Sequence, residues 1–177
     1  YSKGRGVAMS GKEALKWYRL SAKQDNERAI LNLGNAYRDG RGVTRNYAQA
    51  VKWYRQAAEQ GSAKAQLNLA FRYKNGQGVE KDVKQSFAWL EKSAEQGYRN
   101  AQYNVGKYYS LGLGVKRDHK IALEWYLKAA EKGFAPAIYN VAKSYNNGKG
   151  VAKDLRTSAG WYLKAAKKGH TRAQYNF

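Results

Sequence analysis

The chain has 177 residues and no cysteine, with 33 Lys plus Arg against 13 Asp plus Glu, for a formal charge of +20. The lack of cysteine excludes disulfides, thiol nucleophiles and cysteine-based metal sites, and no apolar run approaches the ~18 residues of a membrane span. Hydrophobic residues make up 43% of the chain, enough to build a core, and the positive charge is expected to draw acidic partners.

The elements follow a fixed period. Gly-x-Gly-Val begins at Gly4, Gly40, Gly76, Gly112 and Gly148, each copy 36 residues after the last. A constant period between about 20 and 50 residues marks stacked repeat units. Residues 1–25 form a partial repeat, residues 26–61, 62–97, 98–133 and 134–169 four full ones, and residues 170–177 a last fragment. "YSKG" at 1–4 reads as the last turn of a first helix, and "AQYNF" at 173–177 as a first helix without its partner, so the natural protein is expected to extend further. The charge is +4 over residues 1–25, then +3, +2, +4 and +6 over the four repeats, and +1 over the last fragment. It rises along the array with no detached basic tail.

In the first full repeat, Ala29, Ile30, Leu33, Gly34 and Tyr37 have the three-four spacing of an amphipathic helix. Gly40 stands where a left-handed cap would close it. Ala50, Val51, Trp53, Tyr54, Ala57 and Ala58 predict a second helix, closed at Gly61. Six residues after each first glycine come Ser10, Asn46, Asp82, Asp118 and Asp154, all side chains that accept from the free N–H groups of a helix start. Pro136 suits the first turn of a helix, where its missing N–H costs nothing. Tyr1, Tyr37, Tyr73, Tyr109 and Tyr145 are expected to end the first helices. Trp17, Trp53, Trp89, Trp125 and Trp161 are expected to fill the core from the second. They face small columns, among them Ala29, Ala65, Ala101 and Ala137, and Ala14, Ala50, Ser86, Ala122 and Ser158. A single 36-residue unit has no way to bury its own apolar face, so stability is expected from stacking.

"AQLNLAFRYKNGQGVEKD" at 65–82 and "ALEWYLKAAEKG" at 122–133 resemble the Sel-one-like repeat family, α/α relatives of tetratricopeptide repeats. The resemblance covers essentially the whole chain. It implies an all-α, right-handed α/α solenoid of about four full repeats with partial repeats at both ends. Departures are Leu90 in place of the Tyr that follows Trp, Asp25 where later repeats have Gly, and Gly160 inside a helix, which should cost about 1 kcal/mol relative to alanine.

No catalytic or metal-ligating constellation is evident, and no cofactor is expected. His119, read as a loop residue, and His170, at a helix start, have no evident carboxylate partner. Gly-x-Gly-Val lies between helices, whereas phosphate loops follow a strand. Asp82, Asp118 and Asp154 are already assigned to caps. The expectation is therefore a non-enzymatic protein with no small-molecule substrate.

The resemblance places first helices on a concave face, which makes their columns outside the core the candidate partner site. One column reads Asn32, Asn68, Asn104, Asn140 and Asn176, and its neighbour Leu31, Leu67, Tyr103, Tyr139 and Tyr175. A third reads Asn35, Phe71, Lys107 and Lys143, with Arg72 beside it. Amide hydrogen bonders, aromatic surface and cations together suit a protein or peptide ligand, and the positive charge predicts an acidic one. The Asn column is also part of the family pattern and would equally brace neighbouring repeats. Family roles implied by the resemblance are bacterial adaptors in envelope or secretion systems, signalling scaffolds, and immunity proteins that neutralise toxic effectors. Export, for example to the periplasm, is favoured over the cytoplasm. The alternative is a basic surface for nucleic acid or an anionic envelope polymer, along Arg45, Lys81, Arg117 and Lys153 or Lys12, Lys84, Lys120 and Arg156. Interleaved acids and the lack of a recognised nucleic-acid module speak against nucleic acid, and solubility explains such ladders as well.

Overall fold

A computed structural model of the chain describes residues 10–175, with the backbone alone at Tyr175. Tyr1, the glycine motif at Gly4 and Asn176 lie outside the described residues. Among those described there are ten α-helices and no strand. They are α1 (Gly11–Ala22), α2 (Glu27–Asp39), α3 (Tyr47–Glu59), α4 (Ala63–Asn75), α5 (Val83–Glu95), α6 (Arg99–Leu111), α7 (His119–Glu131), α8 (Ala135–Asn147), α9 (Leu155–Lys167) and α10 (Thr171–Tyr175). The chain divides within α5, between Trp89 and Leu90, into two compact units.

Both glycines of each motif have a physical cause. The first is the helix cap: Gly40, Gly76, Gly112 and Gly148 have φ between 64° and 73°, and each N–H returns to a carbonyl of the last turn. The second meets backbone of the preceding repeat. A Cβ on Gly78 would lie 2.3 Å from the Tyr47 carbonyl oxygen, and one on Gly150 2.2 Å from that of His119. Only a residue without a side chain allows this approach.

The loop then closes on itself. The N–H groups of Asn46, Asp82, Asp118 and Asp154 donate to the carbonyls of Tyr37, Tyr73, Tyr109 and Tyr145 at 2.9–3.0 Å. Their side chains cap the next helix, Asn46 accepting from the Gln49 N–H, Asp82 from Gln85, Asp118 from Lys120 and Ile121, and Asp154 from Thr157. Ser10 does the same for Glu13. Between repeats, Gly61, Gly97, Gly133 and Gly169 turn with positive φ, and Asp25 adopts the same left-handed region at φ 53°. Asp is among the few side chains that tolerate it.

The core differs from expectation in its aromatic column. Tyr54 is 0% exposed and Tyr126 and Tyr162 are buried, while Trp53, Trp89, Trp125 and Trp161 are half-buried and Trp17 is 50% exposed. The Trp side chains pack on the core's edge rather than fill it. On a helix, successive residues point about 100° apart, so only one of a Trp-Tyr pair can face the partner helix squarely. The smaller phenol takes that place. Lys128 and Lys164 cover the outer faces of Trp125 and Trp161, their ammonium groups 4.2 and 4.8 Å from the ring.

Two solutions bring paired helices together. Gly34 in α2 and Gly106 in α6 admit a tyrosine ring: an added Cβ would sit 2.5 Å from Tyr54 and 2.6 Å from Tyr126. In α4 and α8 the equivalent residues are Ala70 and Ala142. Their carbonyls accept from the buried hydroxyls of Ser86 and Ser158 at 2.7 and 2.9 Å. The pairing of Gly with Ala50 or Ala122, and of Ala with Ser86 or Ser158, is thus a matter of local fit.

These contacts make two glycines respond oppositely. Gly160 has nothing within 4 Å of an added Cβ, so Gly160→Ala should raise unfolding free energy by about 1 kcal/mol through helix propensity. Gly34→Ala gains the same propensity but overpacks a fully buried ring, which costs about 1–3 kcal/mol, and a net loss of about 1 kcal/mol is expected. Denaturant titrations of both variants check the sign; equal shifts would contradict the packing account.

Candidate partner-binding site

In the first unit the predicted site residues are largely engaged with one another. The Asn35 side-chain oxygen accepts from the Tyr54 hydroxyl at 2.9 Å and from the Asn68 amide at 3.5 Å. This links α2, α3 and α4. Burial pushes the Tyr54 hydroxyl up to about 12, so it stays a donor. Arg72 lies over the Tyr47 ring, 5.2 Å from its centroid, and its Nε is buried with no hydrogen-bond partner. Asn32 and Phe71 are half-buried.

An ion cluster near this point has no counterpart in the period. Arg38 donates twice to Asp39, at 2.6 and 2.9 Å, and Arg41 lies 3.0 Å from the same carboxylate. The hydrogen bond from Arg38 holds the Asp39 carboxyl below the ordinary range, against the opposing effect of burial. Sequence reading missed the cluster because the later repeats have Lys74-Asn75, Ser110-Leu111 and Asn146-Asn147 there. The adjacency of two Arg to one Asp was its only trace.

In the second unit the first helices present aromatic and cationic groups together. Lys107 stands over Tyr103 and Lys143 over Tyr139, with ammonium-to-centroid distances of 5.8 and 5.9 Å. Lys143 is exposed and Lys107 half-buried. Tyr103 meets Phe134 edge-on at 5.3 Å, and Tyr139 stacks on His170 at 4.3 Å with 16° between the planes. Phe134 and His170 hold equivalent places, just before α8 and α10. The Asn140 side chain lies beside the hydroxyls of both Tyr103 and Tyr126. Asn104 instead donates to the Asn100 carbonyl of its own helix at 2.7 Å. Within the asparagine column, Asn68 thus joins α4 to α2 through Asn35, whereas Asn104 bonds only within its own helix.

The outer cations are placed otherwise. Arg45, Lys81, Arg117 and Lys153 are exposed. His119, expected in a loop, is the first residue of α7 and is half-buried. No described helix is long and apolar enough to cross a membrane.

A model of the Sel1 repeat matches residues 1–26, 28–62, 63–98, 99–134 and 135–170. The chain belongs to the Sel1 repeat family. Among solved structures, a protective antigen present in uropathogenic Escherichia coli with an SLR fold is 36% identical, at a TM-score of 0.95. The match covers 99% of this chain and 38% of that one, so this chain spans well under half of that relative. A Sel1 repeat protein from Oxalobacter formigenes is also 36% identical, with a TM-score of 0.91 over 98% of this chain and 71% of its own. An immunity protein from Pseudomonas aeruginosa shares the fold alone, at 20% identity and a TM-score of 0.62, over 95% of this chain and 62% of that one. No curated protein matched the sequence. The α/α solenoid inferred from the period is the fold of these Sel1 relatives. Sel1 arrays are generally non-catalytic scaffolds typical of protein–protein interaction.

The His170 stack is sensitive to protons. Burial, and then the charge of Arg172, lower its pKa below the ordinary 6.5. The unfolded chain therefore takes up the proton first, and stability falls as pH drops through about 6.5. Wild type should lose more melting temperature between pH 7.5 and pH 5.5 than His170→Phe, which copies Phe134. Equal losses would show that the imidazole does not contribute.

Proposed function

We propose that the chain is a non-enzymatic scaffold that binds an acidic protein through the first helices of its repeats. The observation that carries this reading is the Tyr–Lys pair repeated one period apart, Tyr103 with Lys107 on α6 and Tyr139 with Lys143 on α8. Each pair offers a tyrosine face, a residue type enriched at binding hot spots, with a cation beside it to match an acidic partner. The charge of +20 adds long-range attraction for an acidic partner and raises the rate of encounter. Family membership supports the scaffold role.

The sharper form of the proposal is an immunity protein that neutralises an effector. The Pseudomonas aeruginosa immunity protein supports that form at the level of fold only.

Affinity capture with the full chain tests the reading, with wild type beside Lys107→Glu/Lys143→Glu. Arg72 is left intact because it is stacked inside the first unit. One acidic protein retained by wild type at moderate salt, and reduced about tenfold or more by the variant, is the expected outcome, since reversing two charges at a contact costs more than 1.4 kcal/mol. A nuclease-sensitive mixture held equally by both baits would replace this reading with polyanion binding.

A further inference from the structure

We infer that the second unit contains a binding pocket for one small oxyanion, a carboxylate or phosphate group, formed where α6 ends, α7 begins and α8 passes. The cavity has a volume of about 110 Å³ and is lined by Ser110, His119, Asn140, Lys143, Asn147 and Lys149, above the ring of Tyr126. Every one of these six side chains can donate a hydrogen bond, and no carboxylate lines the cavity. Ser110 and Asn140 lie beside the buried Tyr126 hydroxyl, which places their polar ends at the wall. Asp118 precedes His119, but its carboxylate accepts from the Lys120 and Ile121 N–H groups. Among the described residues, no ion pair engages Lys143 or Lys149.

The first unit provides an internal comparison two periods earlier. There Arg38 occupies the place of Ser110, Asp39 that of Leu111, Tyr47 that of His119, and Arg72 that of Ser144. Arg72 lies over Tyr47, and Arg38 is held by Asp39 at 2.6 and 2.9 Å. The first unit thus fills the position with two guanidinium groups and supplies their counter-ion from its own chain. In the second unit both arginines are serines and the aspartate is a leucine, while Lys143 and Lys149 bring positive charge back at the rim. The room, the donors and the charge are present, and the internal anion is gone. Lysine and amide donors suit an oxyanion better than a metal ion, for which the lining offers one imidazole and no carboxylate or thiolate. The volume accommodates a group the size of a carboxylate or phosphate.

The site shares Asn140 and Lys143 with the partner-binding surface, but Lys149 belongs only to the pocket and Lys107 only to the Tyr–Lys surface, so variants at those two lysines test the readings separately. NMR titration of the full chain with sodium phosphate, at constant ionic strength set with sodium chloride, is the direct test. A second titration uses a short peptide of Asp and Glu, amidated at its C-terminus. Saturable shifts centred on the His119 ring are expected, weakened roughly tenfold by Lys149→Gln and unchanged by Lys107→Gln. Ser144→Arg, which restores the Arg72 arrangement, should abolish them. Saturation by phosphate identifies a free anion as sufficient, and saturation by the peptide alone identifies a carboxylate delivered by another chain. Shifts that never saturate, that spread over all basic faces, or that respond equally to Lys149→Gln and Lys107→Gln overturn the pocket.

Discussion

The architecture depends on one contact, the approach of the second motif glycine to the backbone at the start of the preceding second helix. Gly78 against Tyr47 and Gly150 against His119 leave no space for a methyl group. Everything in the repeat is arranged around that approach. The first glycine turns the chain out of its helix, the cap residue ties its N–H back to a tyrosine carbonyl, and its side chain starts the next helix. Within each unit the loop thereby sets the distance between one second helix and the next.

Within each unit, packing uses the freedom that remains. A tyrosine ring enters where the facing helix has glycine, and a serine hydroxyl meets a carbonyl where it has alanine. Neither arrangement leaves a buried hydroxyl unpaired, which avoids the cost of an unsatisfied polar group. The asparagines work in the same way. Asn35 and Asn68 tie helices together through their amides, and the surface chemistry on which partner binding is proposed falls instead to the Tyr–Lys pairs.

Much of this was legible in the residues. The helix pairs, the left-handed caps and the five N-caps follow from glycine, asparagine, aspartate and serine at fixed offsets, because caps depend on local geometry alone. The depth of the aromatic columns was not legible: Trp53 and Tyr54 are neighbours, both aromatic, and only the crossing of the helices decides that the tyrosine goes in. Nor was the role of Asn35, whose partners Tyr54 and Asn68 are 19 and 33 residues away. The corner lined by His119 and Lys149 was hidden for a related reason. Its meaning lies in a comparison with Arg38, Asp39 and Arg72, and a period read one repeat at a time passes over an exchange between alternate repeats.

The loop-to-helix contact also shapes how the chain acquires its structure. Side-chain hydrogen bonds reach about one period along the chain, as between Lys132 and the Gly97 carbonyl, 35 residues apart. Contacts of such limited span keep the entropy of closing each loop nearly constant along the array. A topology of this kind has low contact order, which favours rapid folding. Structure can begin at any well-formed helix pair and extend to its neighbour, so that a defect in one repeat slows the spread of order locally without denying the others a nucleus.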